Sequence, residues 1–183
     1  TEMEEREKYQ KGLVQGALYC MDVKTGAIIA MVGGRDFEKS EFNRTTQSRR
    51  QPGSAFKPLI YTAAFDKGMT PSTRVVDSPI VFEDRSQEDG VWKPRNFDGK
   101  FLGPITLRKA LVQSRNVVTV KILQDIGIDY ATSYATNMGI TSPLVRNFSL
   151  ALGSSGVTLQ ELVRAYAVLG NAGKKVKPYF IRK

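Results

Sequence analysis

Histidine is absent from the 183-residue sequence, and cysteine occurs only once, as Cys20. The absence of histidine excludes Ser-His-Asp and Cys-His catalysis and removes the commonest metal ligand. A general base in this chain must therefore be Lys, Asp, Glu or Tyr. A single cysteine permits no internal disulfide bond, and its place in an apolar, strand-like run predicts a buried structural thiol. We expect neither a cofactor nor a bound metal.

Long apolar runs are also missing. None approaches the roughly 20 residues that a membrane span needs, so any membrane anchor is expected outside this chain. The content of 41% hydrophobic and 25% charged residues is typical of a folded globular protein. The net charge of +9 comes without a nucleic-acid-binding motif, so we interpret it as a solvated basic surface and expect no nucleic-acid partner.

The chain divides into a short connector and one partial domain. Residues 1–14 are mostly polar and helix-prone, which indicates a connector from an upstream region, and residues 15–183 form the partial domain. Apolar runs at 17–21 and 27–32 flank a turn and predict a hairpin that belongs to a larger sheet. The last apolar run, 176–181, is strand-like and has no terminating signal, so we expect the sequence to be cut in mid-domain.

Helical patterns dominate the rest of the sequence. The predicted helices span 54–67, 106–114, 116–127 and 159 to about 170. The last of them begins at a capping box formed by Thr158 and Glu161. A loop-rich stretch at 69–103 is expected to line a surface or a cleft, and its internal structure is left open.

Ser54 and Lys57 are the first candidate site residues, in the run Pro-Gly-Ser-Ala-Phe-Lys. Residues three apart on a helix share one face, with Cβ atoms about 5–6 Å apart, so the amine can fold back to the hydroxyl. Without histidine, a neutral lysine is a plausible acceptor for the serine proton, and desolvation or a nearby positive charge would lower its pKa enough. The alternative is a serine N-cap followed by an exposed lysine.

Ser114 and Asn116, separated by one arginine, form a second candidate element. The apolar spacing of the preceding helix continues to Ser114 and turns it toward a buried or cleft side, where its hydroxyl could relay a proton. Asn116 has both a donor and an acceptor, and could hold Lys57 or a substrate amide. The alternative is a helix end followed by an asparagine N-cap.

Short motifs around these residues follow a fixed order along the chain. They are Gln15-Gly16-Ala17-Leu18, Asp22 to Gly26, Ala30-Met31-Val32-Gly33-Gly34, Phe42-Asn43-Arg44, Arg50 to Pro58, Thr106-Leu107-Arg108 with Ala110-Leu111, Ser114-x-Asn116, Leu150-Ala151-Leu152-Gly153, and Val157-Thr158 through Ala165-Tyr166-Ala167. Together they resemble the transpeptidase domain of class A penicillin-binding proteins, over most of residues 15–173.

The resemblance implies an α+β fold of the β-lactamase/transpeptidase type, with an antiparallel sheet packed against helices. It also implies a role in bacterial cell-wall synthesis, in which Ser54 attacks the bond between the terminal D-alanines of a peptidoglycan stem peptide or is acylated by a β-lactam. Lys57 would take the serine proton, and Ser114 would pass a proton toward the leaving group. Asn116 would bond Lys57 or the substrate. Trp92 is a candidate substrate contact, with a packed aromatic as the alternative.

A third family motif, Lys-Thr-Gly or Lys-Ser-Gly on a sheet strand, is expected beyond residue 183 together with the remaining strands of the C-terminal sheet. The letters Lys24-Thr25-Gly26 fall in the predicted hairpin turn, so we interpret them as structural. The third-motif strand supplies half of an oxyanion hole, and losing one such donor costs a serine enzyme roughly 10² to 10³ in rate. We therefore expect the 183 residues alone to show little or no transpeptidation and slow acylation at best.

The resemblance further implies stem peptides and β-lactam antibiotics as binding partners, and other cell-wall synthesis proteins as candidates. The parent protein is expected to be anchored in the cytoplasmic membrane, with this domain on the periplasmic face and a glycosyltransferase domain upstream. Two rival functions remain. One is a serine β-lactamase, although no Glu-x-x-x-Asn loop is evident, and the other is a non-catalytic module that senses β-lactams or binds peptide.

Overall fold

The computed structural model describes residues 15–83 and 90–181. The predicted connector at 1–14 lies outside the described residues. The fold is α+β, as expected, with short antiparallel sheets and helices. The chain forms two compact units, whose described parts are 15–50, 139–141 and 157–181 in the first, and 51–83, 90–138 and 142–156 in the second.

The strands in chain order are β1 (Leu18–Met21), β2 (Ile28–Val32), β3 (Arg74–Asp77), β4 (Phe82–Glu83), β5 (Val91–Trp92) and β6 (Gly103–Thr106). The α-helices are α1 (Lys57–Asp66), α2 (Leu107–Val112), α3 (Asn116–Ile126), α4 (Ile128–Met138) and α5 (Leu159–Gly170). Two 3₁₀ helices of the described residues span Gly53–Phe56 and Phe148–Leu152. The antiparallel strand pairs are β1 with β2, β3 with β6, and β4 with β5. None of the helices within the described ranges is long and apolar enough to cross a bilayer.

The first unit contains the predicted hairpin. Its turn is held by the Asp22 carboxylate, which accepts hydrogen bonds from the Lys24 and Thr25 amides and from the Thr25 hydroxyl. These bonds support the structural interpretation of Lys24-Thr25-Gly26. The strand-like run at 176–181 forms one parallel bridge in the described structure, between Tyr179 and Ala27.

The prediction of a buried thiol at Cys20 is wrong, because Cys20 is exposed. Successive side chains of a strand point to opposite faces. In β1, Tyr19 and Met21 take the buried face and pack with Ala167 of α5, so Cys20 points the other way. The apolar sequence of the strand did not reveal which face would be covered.

The capping box at the start of α5 is confirmed. The Thr158 hydroxyl accepts from the Glu161 amide at 3.2 Å, and the Glu161 carboxylate accepts from the Thr158 amide at 2.8 Å. Two amides at the helix start that would otherwise lack partners are thereby satisfied. The helix then runs to Gly170, the end that the sequence predicts.

The second unit is built around α3, which packs against α1, α4 and the second 3₁₀ helix. Its apolar side chains are excluded from solvent almost all round; they are Val117, Val118, Val120, Ile122, Leu123 and Ile126. The facing side of α1 is equally buried at Leu59 and Ile60. Burial of apolar surface at roughly 25 cal/mol per Å² makes this packing the main stabilising term of the unit. It holds the first turn of α1 against the beginning of α3.

The two 3₁₀ helices meet at a pair of glycines. The Gly53 amide donates to the Gly153 carbonyl at 3.3 Å. Gly153 has a φ of +69°, and a Cβ built on it would lie 2.2 Å from the carbonyl oxygen of Gly53. A side chain at position 153 is therefore excluded both by the left-handed backbone conformation and by the neighbouring backbone.

We expect Gly153→Ala to lower the free energy of unfolding by about 3 kcal/mol or more, because left-handed strain and overpacking add together. Urea-induced unfolding followed by circular dichroism measures the change. Gly90 is a matched control, since it has the same φ of +69° and no heavy atom of the described residues lies within 4 Å of its built Cβ. Gly90→Ala should cost only the strain, about 1–2 kcal/mol. Equal losses in the two variants would contradict the close approach.

Candidate active site

Ser54 lies in the 3₁₀ helix that leads directly into α1. Pro52 begins the turn with a φ of −72°, and Gly53 follows with a φ of +57° that favours glycine. Ser54 is exposed, whereas Lys57 at the start of α1 is buried with 1% of its surface accessible. The alternative of a serine N-cap before an exposed lysine is therefore wrong, and the N-cap of α1 is Phe56.

The buried Lys57 amine makes three hydrogen bonds to one short segment of the chain. Its Nζ atom lies 2.7 Å from the Ser114 carbonyl oxygen, 3.0 Å from Ser114 Oγ and 2.6 Å from Asn116 Oδ1. A buried amine is costly unless hydrogen-bonded, and these three acceptors satisfy it. The sequence elements that contain Ser54 and Ser114 are thus brought together.

Ser114 stands between the lysine and the first serine. Its Oγ lies 3.0 Å from Ser54 Oγ as well as 3.0 Å from Lys57 Nζ. Among the described residues, the contact from Ser54 to the lysine runs through this hydroxyl, which differs from the direct contact that the sequence suggests. Ser114 adopts a φ of +51°, which is unusual for a residue other than glycine. The left-handed turn ends α2 and directs the side chain into a cleft.

Asn116 is the first residue of α3 and uses both ends of its amide. Oδ1 accepts from Lys57, and Nδ2 donates to the Arg95 carbonyl oxygen at 2.9 Å. The N-cap of α3 is Arg115, so the alternative of an asparagine N-cap is wrong. Of the two contacts considered from sequence, the structure contains the one to Lys57.

Burial lowers the pKa of Lys57 from its ordinary value of 10.5 to about 8, and the positive charge of Arg115 adds to the effect. Both causes act against the charged form of the amine. A sizeable fraction of Lys57 is therefore neutral near pH 8, and a neutral amine has a lone pair that can accept a proton.

The three partners of Lys57 determine where that lone pair points. A neutral amine keeps two N–H groups and gains one acceptor position. The Ser114 carbonyl and Asn116 Oδ1 can only accept, so they retain the two N–H groups. The hydroxyl of Ser114 can donate as well as accept, so the lone pair faces Ser114 Oγ. The geometry can therefore carry a proton from Ser54 to Ser114 and on to Lys57.

An open cleft of about 360 Å³ lies beside Ser54. Its walls are formed by residues 96–98 and 113–116. Within the first wall, the Phe97 side chain is fully exposed. Residues 96–98 of the loop-rich stretch therefore line a cleft, which is one of the two roles expected from the sequence. A ligand in this cleft would meet the exposed hydroxyl of Ser54.

The sequence-based candidates missed four polar residues in and beside the cleft wall. They are Asp77, Asn96, Asp98 and Arg115, which are joined by hydrogen bonds and ion pairs. Arg115 carried a usable signal, because it lies between Ser114 and Asn116 at a helix start. The other three lie in or beside short strands and turns of the stretch whose structure was left open.

Trp92 lies in β5, where its ring packs against Phe82 at a centroid distance of 5.8 Å. Phe82 in turn packs against Phe148 at 4.3 Å. Trp92 is not among the residues that line the described cleft. The structure thus places it in an aromatic cluster, and its contact with a substrate stays a prediction.

Comparison with known proteins gives one consistent family. A family model described as the penicillin binding protein transpeptidase domain matches residues 16–183. Penicillin-binding protein 1A of Pseudomonas aeruginosa is 51% identical over 170 residues, covering 92% of this chain and 21% of the relative. Penicillin-binding protein 1A of Neisseria lactamica is 47% identical over 175 residues, covering 95% and 22%. The chain thus spans about a fifth of the length of these relatives.

Solved structures agree. The crystal structure of penicillin-binding protein 1A from Haemophilus influenzae superposes with a TM-score of 0.86 at 40% identity, covering 92% of this chain and 25% of that one. The PonA1 protein from Mycobacterium tuberculosis in complex with penicillin V superposes with a TM-score of 0.80 at 24% identity, covering 99% and 50%. At that identity the second likeness shows the fold alone.

Proposed function

The chain belongs to the family of penicillin-binding protein transpeptidase domains, and we propose from this membership that it carries the acylation site of a peptidoglycan D,D-transpeptidase. The observation that carries the proposal is the continuous contact from Ser54 Oγ through Ser114 Oγ to Lys57 Nζ, with 3.0 Å at each step. The proposed nucleophile and relay line one open cleft, and the proposed base lies buried next to them. The reaction class is serine acyl transfer from stem peptides that end in D-Ala-D-Ala.

Acylation begins when Ser54 Oγ attacks the carbonyl carbon of the penultimate D-alanine. The Ser54 proton moves to Ser114 Oγ as the proton of Ser114 moves to Lys57 Nζ. The tetrahedral intermediate then collapses, the C–N bond breaks, and the leaving D-alanine amine takes a proton from Ser114, which Lys57 restores. An ester on Ser54 and a free D-alanine result. The active site ends this half-reaction with Lys57 neutral again.

Deacylation runs through the same groups in the other direction. An amine from a neighbouring stem peptide attacks the ester carbonyl and loses its proton through Ser114 to Lys57. Ser54 leaves as the alcohol and regains a proton from Ser114. Asn116 supports both halves because its bond to Lys57 at 2.6 Å fixes the amine while the proton moves. A β-lactam would enter by the same attack on its strained amide, with no leaving group that diffuses away.

The protein that carries this chain is proposed to work at the periplasmic face of the cytoplasmic membrane. This location follows from its substrate, since stem peptides are polymerised outside the cytoplasm. The membrane anchor and the glycosyltransferase domain are proposed to lie in other parts of the protein. The chain covers only about a fifth of its curated relatives, which leaves room for such parts.

In the whole protein that carries this chain, we expect benzylpenicillin to form a one-to-one covalent adduct on Ser54, because this hydroxyl is exposed beside the cleft and in contact with the relay. Intact-mass spectrometry followed by peptide mapping locates the adduct. Ser54→Ala should abolish it, whereas Ser72→Ala, a matched change at an exposed serine outside the site, should leave it unchanged. An adduct that persists in Ser54→Ala would refute the assignment of the nucleophile.

The fate of the adduct separates the rival functions. A lasting adduct, together with amine-dependent product from an acyl-D-Ala-D-Ala peptide, indicates a transpeptidase. Rapid hydrolysis of the antibiotic would instead indicate a β-lactamase, and an adduct without any amine-dependent turnover of peptide would indicate a sensing module. Each outcome is read by mass spectrometry of the protein and of the small molecules in one reaction.

The acylation rate should rise with pH up to about 8 and then level off, because only neutral Lys57 accepts a proton and its pKa is lowered to about 8. Below that pH the neutral fraction, and with it the rate, should fall about tenfold per pH unit. Rapid-quench measurements with benzylpenicillin between pH 6 and 9.5, made on the whole protein that carries this chain, give the profile.

Two lysine-to-arginine changes control this measurement. Lys57→Arg should remove acylation at every pH, because a guanidinium does not give up its proton in this range. Lys67→Arg, at an exposed position at the end of α1, should reproduce the wild-type profile. A rate that is flat from pH 6 to 9 in the wild type would rule out Lys57 as the base.

A further inference from the structure

Arg115, the residue between the two polar positions of the second motif, is unusually buried for an arginine. Only 5% of its surface is exposed. Its guanidinium donates from Nε to Asp77 and from Nη1 to Asp98, each at 2.9 Å, and from Nη2 to the Lys100 carbonyl oxygen. All three nitrogens therefore have acceptors, and the planar group is fixed in one orientation.

The carboxylate of Asp77, which accepts from Arg115, is also fixed in place. Asp77 ends β3 and is fully buried, and it also accepts from Asn96 Nδ2 at 2.8 Å and from the Leu102 amide at 3.1 Å. Asn96 Oδ1 accepts in turn from the Val117 amide at 3.2 Å. The network therefore joins β3, the segment 96–102 and the first turn of α3 into one hydrogen-bonded unit.

The backbone of Arg115 joins the two residues that bind the Lys57 amine. The three acceptors of the lysine amine belong to Ser114 and Asn116, the two residues on either side. Ser114 is held at a φ of +51°, a conformation that persists only when its surroundings impose it. The anchored guanidinium one residue later is such a constraint.

A gain in folding stability does not by itself explain the buried ion pair of Arg115 and Asp77. Removing an arginine and an aspartate from water carries a desolvation cost that offsets much of their attraction, so a buried ion pair adds little net stability. The effect of this pairing on geometry is larger, since a guanidinium bound through all three nitrogens to three different residues leaves the attached backbone little freedom. The position of the network points to a role in arranging the site.

We propose that Arg115 is a positioning residue of this site, whose anchored guanidinium fixes the backbone turn that holds the lysine beside the nucleophile. The proposal rests on the proposed acyl-transfer function. It assigns the middle position of the Ser-x-Asn motif a defined task in this chain. The charge of Arg115 acts in addition, because it helps to lower the pKa of Lys57. The other charged groups of this network are the carboxylates of Asp77 and Asp98, and both pair with the guanidinium.

The test compares two substitutions in the whole protein that carries this chain. They separate the hydrogen-bond geometry of the guanidinium from its charge. Arg115→Lys keeps the positive charge but cannot form the fork, and Arg115→Met removes both. Arg108→Met is a matched control at an exposed arginine of α2. Rapid-quench acylation by benzylpenicillin gives the limiting rate and the non-covalent dissociation constant separately, from pH 6 to 9.5, and thermal unfolding checks that each variant is folded.

We expect Arg115→Lys to lower the limiting rate about 10- to 100-fold, as misplaced catalytic groups do, with little change in the dissociation constant or in the pH midpoint. Arg115→Met should lower the rate similarly and raise the midpoint by about one pH unit, because a cation near Lys57 is lost. Arg108→Met should match the wild type.

A folded Arg115→Lys variant with the wild-type limiting rate would overturn the positioning role, and it decides the matter even if Arg115→Met does not fold. If the wild type also forms the Ser54 adduct, that result leaves the proposed function unaffected. A wild type that forms no adduct would overturn the proposed function and this inference together.

Discussion

The buried amine of Lys57 is the constraint on which the rest of the site depends. An amine with 1% of its residue surface exposed must find its hydrogen-bond partners within the protein. All three partners belong to the turn at Ser114 and Asn116. Because Lys57 begins α1 and Asn116 begins α3, this one group can be satisfied only while the apolar packing holds the starts of the two helices together. Ser54, three residues before the lysine, is then placed beside Ser114 by its own backbone.

In the second unit, the features that disfavour folding lie at this site, whereas the stabilising apolar contacts lie elsewhere. The left-handed Ser114, the buried Arg115 with Asp77, and the desolvated lysine each disfavour the folded state or contribute little to it. The apolar contacts of α3 with α1 and α4 provide the compensating free energy through burial. A rigid apolar scaffold can thus carry a polar site whose members would not adopt this arrangement by themselves. Strain at functional positions is expected on physical grounds when geometry matters more than local stability.

The sequence predicted elements whose signal is local. The β1–β2 hairpin, the capping box of α5 and the bounds of α3 agree with the structure within a residue or two, because periodicity and end signals are properties of neighbouring residues. Strands β3 to β6 have two to four residues each, too few for a periodic pattern, and their pairing joins distant segments. The predicted burial of Cys20 was wrong for a related reason. The alternation of a strand is visible in the sequence, but which face is covered depends on the element that packs on it.

The sequence by itself determined the chemistry that was available: no histidine, a serine and a lysine three residues apart, and a second serine and an asparagine 57 or more positions later. Tertiary structure decided how these groups meet. The bonds of Lys57 to Ser114 and Asn116 and the contact of Ser54 with Ser114 span 57 to 60 residues. The packing of α1 on α3 sets these contacts. It places the Ser114 hydroxyl between Ser54 and Lys57 and excludes water from the lysine amine. Local sequence patterns do not encode contacts across such distances, because these depend on which apolar faces of separate helices are buried together.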